Sequence, residues 1–323
     1  MKGIVQKGFG EPGKVLTVTE VETPVVADDE VLVRVRAASI HIGAVYGVRG
    51  YPKVMRPLFK SLLPESGVVG TNIAGVVEAV GASVTGLSQG DEVFGSCKGA
   101  FAEFAVAKAD ALALVPENLT LEQASAVGVS AVTALQGLRD NGHLHEGQKV
   151  LITGASGGVG SFAVQIAKAF GGEVSGVCST RNVDMVRSIG ADHVIDYTKE
   201  DFTRGGQKYD LIFDNVGAHS LKDMRGALTP DGLLLANGAP APTGWFGGIG
   251  HPLKVTLSAM FSKRQGRSFL AKENEEDLAT LRELAASGKI TPVIDRTVPL
   301  ENGVEAISHV GQGHNRGTSI ITM

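Results

Sequence analysis

Cysteine is scarce in this chain: two residues among 323, Cys97 and Cys178, each inside its own apolar segment. Two such thiols make no disulfide framework, which excludes a cross-linked secreted scaffold. An excess of positive charge is missing too. The formal net charge is −4, so nothing in the charge balance favours nucleic acid or an anionic membrane as partner. Long apolar runs are absent: none reaches the roughly 18 residues a spanning helix requires. The opening Met1-Lys2-Gly3-Ile4-Val5-Gln6 is too polar for a secretory signal. These absences predict a soluble protein of a reducing compartment, the cytoplasm, with neither membrane nor nucleic-acid partner.

Glycine, by contrast, is abundant, with 43 residues, as expected of a chain rich in turns and close backbone contacts. The length is enough for two domains, each with its own core. Residues 1 to about 36 read as β-structure: Ile4–Gln6, Val15–Val18 and Glu30–Arg36. In the last of these Val31, Val33 and Val35 alternate with Arg34 and Arg36, the period of a half-buried strand. Asn72–Gly81, Gln89–Gly95 and Ala100–Val106 continue the pattern, which suggests a barrel-like β-domain. Between the blocks, about 45–68, a loop is expected, carrying Tyr46, Tyr51 and Phe59.

Past Pro116 the pattern changes. Thr120 is placed to cap a helix, and from Lys149 strands alternate with helices. Strands are expected at Lys149–Thr153, Glu173–Ser179, His193–Tyr197, Tyr209–Asp214 and Gly232–Ala236, with Arg267–Ala271 a possible sixth. Helices are expected over 160–170 and 182–189. Near-continuous apolar strands in this alternation mean a parallel sheet covered on both faces. The tail returns to mixed structure: a helix over Glu275–Ser287, a strand over Val293–Val298, a helix over Gly303–Val310 and a closing strand over Gly317–Thr322.

The chemistry is concentrated in one turn, Gly154-Ala155-Ser156-Gly157-Gly158-Val159-Gly160. It joins an apolar strand to a helix, so free N–H groups and the positive end of the helix dipole face whatever lies above it. This is the dinucleotide fingerprint with alanine in the first glycine's place. Ser156, Gly157, Gly158 and Val159 would cradle a pyrophosphate, while Gly160 lets helix and sheet pack closely. About 20 residues on, an NAD-selective chain offers an acid to the ribose. Here the strand ends Ser179-Thr180-Arg181-Asn182, without a carboxylate. Ser179 and Arg181 are suited to a 2′-phosphate, which favours NADPH. The alternative is that Ser179 or Thr180 caps the next helix and Arg181 is solvated. Tyr197 either packs against the adenine end or is a core tyrosine with a wet edge.

Taken in order, several segments resemble the zinc-less medium-chain dehydrogenase/reductases of the quinone oxidoreductase type. They are Gly86–Gly95, Gly99–Phe104, Thr133-Ala134-Leu135, Gly154–Gly160, Gly190-Ala191-Asp192, Asp210–Gly217 and Arg316-Gly317-Thr318. The resemblance implies an α/β architecture, with a Rossmann doubly wound parallel sheet beside a GroES-like β-barrel domain and the active cleft between them. The GroES-like substrate domain would take 1–118 and 280–323, and the Rossmann domain 119–279. Relatives that bind zinc have a cysteine after the third β-run, a Gly-His-Glu near residue 70 and a four-cysteine lobe. This chain has Ser39-Ile40-His41, Gly70-Thr71-Asn72 and Cys97 alone. Those positions cannot supply a tetrahedral zinc site, and no metal is expected.

Without a Lewis acid, delivery of hydride to a conjugated acceptor is the easier chemistry. The resemblance therefore implies an NADPH-dependent reductase of quinones or α,β-unsaturated carbonyls, a homodimer joined at the Rossmann sheet edge. Tyr46 matches the family's tyrosine, while His41 replaces an asparagine and Ala44 an acid. Tyr46, His41 and Tyr51 are the candidates to bond a developing oxyanion. The resemblance also places Thr133, Asn215-Val216-Gly217 and Asn237-Gly238-Ala239 near the nicotinamide. The family's closing lysine is Thr318 here. Trp245, Phe246, Met260 and Phe261 lie where a segment could cap the cleft. Two other readings stay open: a zinc-independent alcohol or aldehyde oxidoreductase, and a low-turnover NADPH-binding sensor or structural protein.

Overall fold

Two hydrophobic periods, alternating and continuous, produce two kinds of sheet in the computed structural model, which describes residues 1–238, 255, 265–313 and 315–323. In chain order the first strands are β1 (Lys2–Gln6), β2 (Leu16–Glu20), β3 (Glu30–Ile40), β4 (Asn72–Val80), β5 (Glu92–Ser96), β6 (Phe104–Lys108) and β7 (Leu112–Leu114). The middle of the chain forms β8 (Lys149–Thr153), β9 (Glu173–Cys178), β10 (His193–Asp196), β11 (Tyr209–Asp214), β12 (Leu228–Ala236) and β13 (Gln265–Ser268). The tail adds β14 (Ile294–Pro299) and β15 (Thr318–Thr322). The described residues divide into two compact units, Met1–Val132 with Glu273–Met323, and Thr133–Lys272.

The first unit is built on β3. It pairs antiparallel with β15, β4 and β6, and the sheet runs β14-β15-β3-β4-β5-β7 with β6 beside β3. Val31, Val33 and Val35 are buried while Arg34 and Arg36 are exposed, the alternation a one-sided sheet requires. After a register shift between Val35 and Ala37 the strand is buried on both faces through Ile40. Small residues, Ala37, Ala38 and Ser39, fill that end, and the helix Leu121–Ala126 packs over it. That helix begins where expected: the Thr120 side chain accepts from the Gln123 N–H, and Gln123 reaches back to the Thr120 N–H, a capping box. The tail belongs to this core, since Leu300, Ala306, Ile307, Val310 and Ile321 pack with Ile4 and the valines of β3.

The span about 45–68 is not the loop expected from its sequence. It contains the helix Ile42–Arg49, a short 3₁₀ turn at Lys53–Met55 and a further helix Arg56–Leu62. The apolar spacing that drives the first helix is short, Val45 and Val48, both buried. Gly50 ends it in the left-handed region at φ 66°. Arg49 then anchors it by bonding Glu11 and the Gly311 carbonyl.

The second unit holds a fully parallel six-stranded sheet in the order β10-β9-β8-β11-β12-β13. The order reverses between β8 and β11, so the carboxyl ends of β8, β9 and β11 open at a topological switch point, where such sheets bind their ligands. The helix Gly158–Ala169 follows β8 and Val183–Ser188 follows β9. Leu151, Ile152, Val164 and Ile166 are fully buried. Among the described residues no helix is long and apolar enough to cross a membrane.

Candidate functional site

Each unit carries one cluster of polar groups at the end of a buried strand. In the parallel sheet, β8 ends at Thr153 and the chain turns through Gly154 to the N-cap Gly157. The first i→i−4 bond of the following helix runs from the Ser161 N–H to the Gly157 carbonyl. The N–H groups of Gly158, Val159 and Gly160 come before it and so have no carbonyl of their own helix behind them. A Cβ on Gly160 would stand 2.1 Å from the Gly154 carbonyl oxygen, so only glycine lets the helix seat so low on the turn. This arrangement fits a pyrophosphate: free backbone donors, a helix dipole and no side chain in the way.

At the end of β9 the capping alternative for Ser179 and Thr180 is not what the geometry shows. Ser179 makes no side-chain cap to the turn Thr180–Asn182. The Thr180 hydroxyl donates instead to Asp196 Oδ2 at 2.6 Å. Asp196, the last residue of β10, also accepts from the Thr198 hydroxyl and N–H, and it pairs with Lys199 at 3.2 Å. The Thr180 bond and these others hold its carboxyl well below the usual range, despite some desolvation. Asp196 is therefore occupied by its own neighbours. Arg181 is exposed and Ser179 half-buried. Tyr197 is 60% exposed, which removes the reading of it as a core residue and leaves its ring free to cover a ligand.

Residues missed in the sequence organise the switch point. Asp214 ends β11 almost fully buried, and its Oδ1 accepts from the Thr153 hydroxyl and from the N–H groups of Val216 and Gly217. Its carbonyl accepts from the N–H groups of Asn237 and Gly238. Asn215 donates to the Thr153 carbonyl and accepts from the Asn237 side chain at 2.8 Å. The structure thus gathers Asn215, Val216, Asn237 and Gly238 around the end of β11, through the carboxylate and carbonyl of Asp214 and the Asn215 side chain. A polar residue closing an otherwise apolar strand was the available signal for Asp214. Thr133 is buried on the helix Val129–Gln136. Ala239, Trp245, Phe246, Met260 and Phe261 lie outside the described residues.

In the other unit His41 occupies the N-cap position of the helix that holds Tyr46, without a side-chain cap bond, and Tyr51 follows its Gly50 terminus. The three candidates therefore share one segment, and the Tyr51 N–H donates to the Tyr46 carbonyl at 3.0 Å. Nε2 of His41 lies 2.8 Å from the Thr71 hydroxyl. Thr71 meets the Asn72 amide oxygen at 3.4 Å, Asn72 Nδ2 donates to the Ser39 hydroxyl at 3.1 Å, and Ser39 donates to the Ser125 carbonyl at 2.7 Å. Desolvation pushes the His41 imidazole down to about 4, so it is neutral at physiological pH although some of the residue reaches solvent. Burial raises the Tyr46 phenol, against a smaller opposing pull from Arg49, and keeps its proton on. Around His41 stand hydroxyls and an amide, without the thiolate and imidazole set tetrahedral zinc requires. Among the described residues no three His, Cys, Asp or Glu gather where they could hold a metal ion.

Comparison with known proteins adds to this geometry. The alcohol dehydrogenase GroES-like domain family matches residues 27–117, and a family described as zinc-binding dehydrogenase matches 189–321. The chain is 31% identical over 335 residues to 2-methylene-furan-3-one reductase of Solanum lycopersicum, spanning 99% of this chain and 79% of that protein. The structure of the quinone oxidoreductase from Coxiella burnetii superposes with a TM-score of 0.88 at 29% identity, covering 100% of this chain and 99% of the other. Escherichia coli quinone oxidoreductase, solved in complex with NADPH, matches at a TM-score of 0.83 and 25% identity with both chains covered in full.

Proposed function

The chain belongs to the zinc-less, quinone oxidoreductase-like branch of the medium-chain dehydrogenase/reductases, and from that membership we propose that it uses NADPH to reduce quinones or α,β-unsaturated carbonyls without zinc. It is an oxidoreductase with a nicotinamide cofactor and a small-molecule substrate. The observation that carries the choice of NADPH is the end of β9. The segment Ser179–Asn182 holds Ser179 and the exposed Arg181 and no carboxylate, and Asp196, the acid that reaches Thr180, is tied to Thr180, Thr198 and Lys199. A guanidinium and a hydroxyl suit a 2′-phosphate, whereas a ribose hydroxyl is held best by an acid.

Bound there, NADPH supplies a hydride for an electron-poor carbon. The chain's own groups hold and orient. The N–H groups of Gly158 and Val159 and the Ser156 hydroxyl meet the pyrophosphate, and Asn215, Val216, Asn237, Gly238 and Thr133 fix the nicotinamide end. Tyr46, whose hydroxyl keeps its proton through neutral pH, donates to the acceptor's carbonyl oxygen as charge builds on it. Neutral His41 and Tyr51 complete the polar lining. The chemistry in the name of the Solanum relative and the NADPH in the Escherichia coli complex support this reading. With it go residence in the cytoplasm and a homodimer joined along β13, the last strand of the parallel sheet, which light scattering tests.

The deciding experiment follows NADPH and NADH absorbance with a panel of quinones, enones and simple ketones. Turnover of enones or quinones with NADPH, and little with NADH, is the expected result. Tight NADPH binding with no acceptor reduced would overturn the catalytic reading in favour of a sensor or structural role.

A further inference from the structure

Asn182 is 4% exposed, and its amide joins the two loops that a dinucleotide would touch. Nδ2 donates to the Ser156 hydroxyl oxygen in the glycine turn at 3.0 Å, and to the Ser179 hydroxyl oxygen at the end of β9 at 3.4 Å. Its Oδ1 is buried with no hydrogen-bond partner among the described residues. We propose that Asn182 is a positioning residue that turns Ser156 and Ser179 into hydrogen-bond donors facing the phosphates of NADPH. The inference rests on the NADPH reading and adds to it the group that sets the polarity of the site.

A serine hydroxyl has one hydrogen and two lone pairs. When an amide N–H takes a lone pair, the hydroxyl hydrogen must point elsewhere. Neither serine has given its hydrogen to the Asn182 carbonyl, which stays unpartnered. Each hydroxyl therefore keeps a donor for an external group, and the group that only accepts is a phosphate oxygen. An aspartate at 182 would do the reverse, since an ionised carboxylate takes both hydrogens and presents lone pairs, with a negative charge behind them, to the ligand.

The test measures binding rather than turnover. Calorimetric titrations with 2′,5′-ADP and 5′-AMP compare the native chain, Asn182→Ala and Asn182→Asp, each also in a Ser156→Ala/Ser179→Ala background. Asn182→Ala should weaken 2′,5′-ADP about fivefold in the native background and less than about twofold in the serine-free one. Asn182→Asp should cost 2′,5′-ADP about 30-fold in the native background, with 5′-AMP losing less. Equal losses from Asn182→Ala in both backgrounds, or no loss in either, would overturn the proposal. Urea unfolding checks that each variant is folded. Failure of the NADPH reading shows elsewhere, in a native chain that binds 5′-AMP but not 2′,5′-ADP. In that event the same cycle between Asn182→Ala and Ser156→Ala, read on 5′-AMP, still decides the role of Asn182.

Discussion

The turn after β8 and the polar chain at the end of β3 both close a buried strand, yet they are made of opposite materials. The turn is backbone: its donors are amide hydrogens fixed by helix geometry, and its shape depends on the missing side chain of Gly160. The chain at β3 is side chain: His41, Thr71, Asn72 and Ser39 are linked by hydrogen bonds through strands far apart in sequence. A backbone site tolerates many neighbours but no Cβ at its closest approach. A side-chain site tolerates backbone shifts but depends on protonation state and on each partner's chemistry. The contrast teaches where each half is vulnerable.

The largest effect should come from striking the backbone site. Gly160→Ala forces a Cβ against a carbonyl at 2.1 Å, so the helix must lift. We expect a stability loss of about 3 kcal/mol in urea unfolding and a loss of NADPH affinity exceeding about 100-fold in titrations. Survival of both near native values would show that the helix does not depend on this contact.

The side-chain site should instead respond to pH. Burial lowers the His41 pKa from 6.5 to about 4, so between those values the folded protein holds fewer protons than the unfolded chain. Stability from this residue is complete above about pH 6.5 and is lost as pH falls towards 4, by at most about 3 kcal/mol. His41→Gln should remove that part of the slope between pH 7 and 5. An unchanged slope would mean that His41 is better solvated than the structure shows.

Charge at the end of β9 gives the next effect. Arg181→Ala should weaken NADPH by about 2 kcal/mol, roughly 30-fold, and leave NADH within about twofold. Equal losses for the two cofactors would refute its role at the 2′-phosphate. The smallest effect is Tyr46→Phe, expected to lower kcat about tenfold with NADPH affinity unchanged. If kcat holds and only KM for the acceptor rises, Tyr46 lines the site without donating.

Much of the second unit was legible because its signals are local. Lys149–Thr153 and Tyr209–Asp214 are strands with the expected ends, since an apolar run between glycine turns has little else to become. The span from Val45 to Leu62 was misread because its helices carry few apolar positions and are fixed by distant partners, Glu11 and the Gly311 carbonyl among them. Asp214 and Asn182 escaped notice for a similar reason. Their importance lies in what they touch, Thr153 in one case and Ser156 in the other, both contacts between segments the sequence keeps apart.

By itself, then, the sequence determined the glycine turn and the parallel sheet behind it, because each follows from residue types within a short span. Only the tertiary structure decided that Thr180 serves Asp196, that His41 is desolvated and neutral, and that one buried asparagine holds two serine hydroxyls. Those properties depend on which side chains share a small volume, and that is set by packing rather than by neighbours in the chain.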